Sequence, residues 1–193
     1  MQIQAKQGGM ALVAALLLLL VLTMLGVGMF RSFGLQEHIA GNTRERQRAL
    51  HAAAVAQSYG EWWLTSDKGA NAQQGISCAT GVATAPQICN QALVNPVSVP
   101  WTTAVSYIPT GMKTGTANAG FTDNYINPPN FYIQWVSGFY DKTSGASVNN
   151  YLVDASGYAG TTTAAAVVES SFTVTVTYTG QTNNTKFVNL GGQ

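Results

Sequence analysis

The sequence predicts an α+β fold: a long N-terminal α-helix, membrane-spanning in its first half, packed on a C-terminal antiparallel β-sheet head. Three observations lead there. No charged residue lies between Lys6 and Arg31, no proline occurs from Met1 to Ala85, and the last third of the chain is built of β-branched and aromatic runs separated by turn residues.

The apolar run from Met10 to Phe30 comes first. At about 1.5 Å of rise per residue it makes a helix of about 31 Å, which matches a hydrocarbon core of about 30 Å. Leu and Ala dominate it, Thr23 is its one strongly polar side chain, and a helix satisfies its own backbone groups where water is absent. A secretory signal peptide has an apolar region of only about 7–15 residues and a small-residue cleavage site. Met29, Phe30, Arg31, Ser32 and Phe33 offer no such site, so residues 10–30 read as a span or anchor. Orientation pulls the other way. Arg31, Arg44, Arg46 and Arg48 follow the span, and the positive-inside rule alone would put the C-terminal part in the cytoplasm.

Residues 31–68 continue the helix, being rich in Ala, Gln, Arg, Glu and Leu. Leu35, Ile39, Leu50, Ala54, Val55 and Trp62 are expected on one broad apolar side. Gly41-Asn42 permits a break, because glycine inside a helix costs about 1 kcal/mol against alanine. Asp67, Lys68 and Gly69 mark its expected end.

Residues 69–193 form the expected β-rich head. From Gly69 to Pro129 prolines punctuate short apolar pieces, with short strands expected near Val97–Val99 and Val105–Ile108. FYIQWVSGFY (131–140), NYLVDAS (150–156), AAVVESSFTVTVTY (165–178) and KFVNL (186–190) are clearer strands. In the third, Phe172, Val174, Val176 and Tyr178 alternate with threonines, the pattern of a strand with one face on a core. That core is expected to be the distal helix.

The head has few charges: Lys113, Asp123, Asp141, Lys142, Asp154, Glu169 and Lys186 are all of them beyond Gly69. Its neutral polar surface has no field to attract nucleic acid. Its aromatic content separates it from disordered segments. Cys78 and Cys89 would, in an oxidising compartment, close a short loop worth about 3 kcal/mol; two free thiols are the alternative. No spacing supports a metal site, and no cofactor motif is present.

Catalytic candidates are few. His38 and His51 lie on the helix without a nucleophile signature beside them, so no enzyme is expected. Asp141, Ser144 and Asn149 lack calcium-loop spacing and read as a turn. Arg44, Arg46 and Arg48 read as a solvated helical face moderated by Glu45, and Trp62-Trp63 as packing between helix and sheet.

Taken together, a short basic leader ending in Gly9, an uninterrupted apolar helix, an amphipathic extension and a β-rich head resemble type IV pilins and pseudopilins. The strings GMALVAALLLLLVLTMLGVGMFRS, EHIAGNTRERQRALHAAAVA and, more weakly, YLVDASGYAGTTTAAAVVESSF resemble the PilX family of minor pilins. The first two cover about residues 8–56, and residues 69–130 take no part in the likeness.

The resemblance implies that residues 1–9 are a prepilin leader, that prepilin peptidase cuts between Gly9 and Met10, and that Met10 becomes the N-methylated mature terminus. It implies insertion in the inner membrane with the head in the periplasm and the leader inside, which places the cysteines in an oxidising environment. Major pilins have a glutamate at the fifth mature position, and here that position is Ala14. PilX-like minor pilins and K-type pseudopilins share this lack, which is associated with the filament tip.

The implied function is initiation of pilus assembly by a minor pilin that sits at or near the tip. The implied partners are other minor pilins, the major pilin, prepilin peptidase, the inner-membrane assembly platform, membrane lipid before assembly and a tip adhesin. A K-type pseudopilin of a type II secretion system, or a tip adhesin module, is the alternative. Pseudopilins of that type usually carry a larger head with an inserted helical domain.

Overall fold

The computed structural model describes residues 8–66, 75–78, 83–116, 124–179 and 182–192. One helix, α1, runs from Gly8 to Thr65, and eight strands follow: β1 Ile88–Cys89, β2 Val105–Ser106, β3 Lys113–Thr114, β4 Asn124–Tyr125, β5 Asn130–Asp141, β6 Ala146–Tyr158, β7 Ala165–Thr179 and β8 Thr182–Gly192. The chain divides into two compact units, residues 1–44 and 45–193.

In the first unit α1 is long and apolar enough to cross a membrane, and none of its most apolar stretch is buried. Its hydroxyls turn inward: Thr23 donates to the Leu20 carbonyl and Thr43 to that of Ile39, both at 2.8 Å. This satisfies polar groups without water. The helix passes through Gly41 and Asn42 without a break. The continuous backbone ladder outweighs one unfavourable glycine. Asp67, Lys68 and Gly69, where the helix was expected to end, lie outside the described residues.

In the second unit the order β1-β5-β6-β7-β8 makes the main sheet, with β2 also pairing β5, while β3 and β4 form a separate parallel pair. The long strands β5 to β8 are antiparallel neighbours in sequence order, as the turn-bounded runs predicted. The two-residue β1 pairs β5 in parallel. Such short pieces escape sequence reading because two residues have no period. Val97–Val99 is not a strand: Ser98 N–H donates to the Asn95 carbonyl in a turn, and Val97 is exposed. The β5–β6 hairpin closes on Asp141, whose carboxylate accepts from Thr143 N–H at 2.9 Å and Ser144 O–H at 2.6 Å. Gly145 completes the turn at a φ of 67°, which favours glycine.

The core lies between the sheet and residues 49–64 of α1. Phe131 and Ile133 of β5, Val153 and Ala155 of β6, and Phe172, Val174 and Val176 of β7 face Ala56 and Leu64. These strand positions alternate, as a half-buried sheet requires. Burying Leu64 alone contributes about 2 kcal/mol.

The helix meets this face with a stripe that the sequence reading did not choose. Ala49, Ala52, Ala53, Ala56, Gly60 and Leu64 are turned inward. Leu50, Ala54 and Trp62, expected on the core side, are exposed instead, and so, in the first unit, are Leu35 and Ile39. Val55 is half-buried. The reason is distance. A sheet can approach a helix closely only along small side chains, so the alanines face the strands and the bulkier apolar residues face away.

Candidate functional site

Gly9, Met10 and Ala14 all lie on α1 and all are exposed, Met10 at 86%. From Met10 to Phe30 no residue is buried, and leucines, valines and methionines project from every side. An all-round apolar helix needs an apolar surrounding, either lipid or other helices.

In the second unit the outer side of the same helix keeps an apolar character. His51, Ala54, Val55, Tyr59 and Trp62 line a shallow groove of about 560 Å³ together with Tyr107. The Tyr59 and Tyr107 rings stack at 3.9 Å between centroids, and Tyr59 meets Phe131 edge-on at 5.6 Å. The tryptophan pair therefore divides its work: Trp63 packs on the core, while Trp62 is 59% exposed.

The arginine run also divides. Arg44 and Arg46 are exposed, but Arg48 is not the solvated charge that was expected. Its guanidinium donates to the Asn124 carbonyl at 2.6 Å and to Glu45 at 2.8 Å, and lies 4.8 Å from the centre of the Tyr125 ring. Glu45 in turn accepts from Gly160 N–H at 2.8 Å. These two side chains clamp β4 and the β6–β7 connection to the helix. The signal was present as an i, i+3 pair of opposite charges, but the partner carbonyl is far away in sequence. Further along the helix, Glu61 accepts from Ser170 O–H of β7 at 2.6 Å.

Cys78 and Cys89 are joined in a disulfide with their Cα atoms 5.4 Å apart. The bridge fastens the segment before β1 to the sheet's other face, where Trp101, Ala104 and Tyr132 are buried. Tyr132 O–H donates to the Gln91 carbonyl at 2.7 Å, and burial, with a smaller contribution from the Asp154 charge, pushes its phenol up. His38 is exposed and His51 opens on the groove. Among the described residues no group of three or more His, Cys, Asp or Glu could hold a metal ion.

What this arrangement can do is present an apolar helix to lipid or to other helices. Residues 8–56 match the PilX N-terminal family. Nothing among curated proteins or solved structures matches the chain. The matched stretch holds both the exposed apolar segment and the alanine stripe that seats the head. The N-terminal segment of the chain is thus similar to the PilX family of type IV pilins, and its helix is long and apolar enough to cross a membrane.

Proposed function

We propose that the protein is a minor pilin that initiates type IV pilus assembly in the inner membrane and stays at or near the filament tip. The observation that carries this reading is the wholly unburied apolar helix from Met10 to Phe30 with alanine, not an acid, at position 14. A carboxylate in hydrocarbon is costly unless paired, and in major pilins it is thought to meet the terminal amine of a neighbour. Ala14 needs no such neighbour, which suits a subunit with nothing ahead of it.

In this reading residues 1–9 are removed by prepilin peptidase and Met10 is N-methylated. Met10 to Phe30 first spans the inner membrane, with the head in the periplasm, and then packs against the helices of other minor pilins and the major pilin. Gly26 and Gly28, beside which a side chain would meet nothing within the chain, leave room for close helix approach. The outward groove around Trp62 offers partners an apolar surface of its own.

Replacing Gly9 by leucine tests it. The expected result is accumulation of uncleaved precursor together with few surface pili. Normal processing and normal piliation in that strain contradict the reading. Immunogold labelling of sheared pili is expected to mark filament ends; uniform labelling along the shaft excludes the tip position.

A further inference from the structure

The face of the sheet turned away from the helix carries two carboxyl groups directly across from one another. Asp154 of β6 and Glu169 of β7 are direct cross-strand partners, so their carboxyl groups stand side by side. Two carboxylates in contact repel, so a proton or a cation must stand between them. The described residues packed over this face, Cys78, Leu93, Val99, Trp101 and Ala104 among them, carry no charge. Burial first, and then the Glu169 charge, hold the Asp154 carboxyl far above the ordinary carboxylate range.

A second observation concerns oxygen atoms outside the pair. Asp154 is 3% exposed, and its Oδ1 has no hydrogen-bond partner among the described residues. Ser156, two residues along the same strand and so on the same face, is fully buried, and its Oγ is likewise without a partner. Tyr158 continues the row with a buried hydroxyl in the same condition. A buried polar atom left unmatched costs about 1–3 kcal/mol, so a row of them next to an acid pair marks a place where something polar belongs.

We propose that Asp154, Glu169 and Ser156 form a binding site for a hard divalent cation of the calcium class, on the sheet face opposite α1. The donor set is all oxygen, which suits such an ion, and the two carboxylates would neutralise its charge. Glu169, on the exposed side of the pair, gives access from solvent, while Asp154 and Ser156 supply the buried ligands; water and backbone carbonyls would complete the shell. Bound there, the ion would tie β6 to β7 beneath the disulfide-fastened segment. This site is independent of the role of the helix in assembly.

The test uses the full chain in detergent micelles at pH 8, where a shared proton is least favoured. Calcium chloride is expected to raise the thermal midpoint in a saturable way relative to EGTA. Terbium is expected to give sensitised emission on excitation of the neighbouring Tyr132 and Trp101, reversed by calcium. Asp154→Asn and Glu169→Gln, which remove the carboxylate repulsion and so leave the fold intact, are expected to lose both responses, and Ser156→Ala to weaken the affinity several-fold. No shift and no emission up to about 10 mM, beyond the range of weak extracellular calcium modules, overturns the proposal and leaves a proton-linked pair. Unchanged responses in Asp154→Asn overturn it equally.

Discussion

Gly157 of β6 lies directly against Ala53 of α1: a Cβ added to the glycine would stand 2.5 Å from the Ala49 carbonyl oxygen and 2.8 Å from the Ala52 methyl. Both contacts are with groups that cannot swing aside. Gly157→Ala therefore forces helix and sheet apart, and overpacking of this kind costs about 1–3 kcal/mol. Thermal unfolding followed by circular dichroism is expected to show a lowered midpoint. An unchanged midpoint would mean that the alanine stripe does not set the spacing.

Arg48→Ala removes the hydrogen bonds to the Asn124 carbonyl and to Glu45. Bonds to charged groups contribute about 1.5–3 kcal/mol, and a loss at the upper end is expected because the guanidinium side chain is only 16% exposed. Hydrogen exchange is expected to rise in the β3–β4 pair, Lys113–Thr114 with Asn124–Tyr125, which the clamp holds. Arg44→Ala and Arg46→Ala, on exposed positions, are expected to change stability by less than about 0.5 kcal/mol.

Trp62→Ala and Trp63→Ala separate the outward face of the helix from the inward one. The first removes a side chain that is 59% exposed and is expected to leave the folded head's stability nearly unchanged. The second removes a ring packed on the core and is expected to cost about 2 kcal/mol or more. Chemical denaturation of the two variants side by side decides it; equal losses would contradict the burial pattern.

Without divalent cations, stability depends on pH through Asp154. Its carboxyl is pushed from 3.8 up to about 7 by burial and then by the Glu169 charge, so the folded state holds a proton that the unfolded state has released. The stabilisation is complete below about pH 3.8 and is lost as pH rises through about 7. The titratable groups facing Asp154 are Glu169 across from it on β7 and Tyr132 on β5, with Tyr158 further along β6. In EGTA the thermal midpoint is expected to fall between about pH 5 and pH 7, and Asp154→Asn to flatten that fall. A midpoint that rises over this interval contradicts the buried pair.

The large elements were legible because each has a period. The charge gap from Lys6 to Arg31 and the alternation of Phe172, Val174 and Val176 needed no tertiary information. The inward face of the helix was misread because hydrophobicity favours Leu50 and Trp62, whereas close packing against Gly157 favours Ala49, Ala52 and Ala53. Arg48 was read as a surface charge because its main acceptor, the Asn124 carbonyl, is a backbone atom brought near only by the fold. The Asp154–Glu169 pair was invisible for the same reason: its two members meet through the register of β6 with β7.

The most direct measurement is mass spectrometry of the protein's N-terminus after purification from membranes or sheared pili. A PilX-type assembly helix predicts a chain that begins at N-methylated Met10, with nothing retained before it. A terminal peptide that still contains residues ahead of Met10, or one that begins after Phe30, would contradict it.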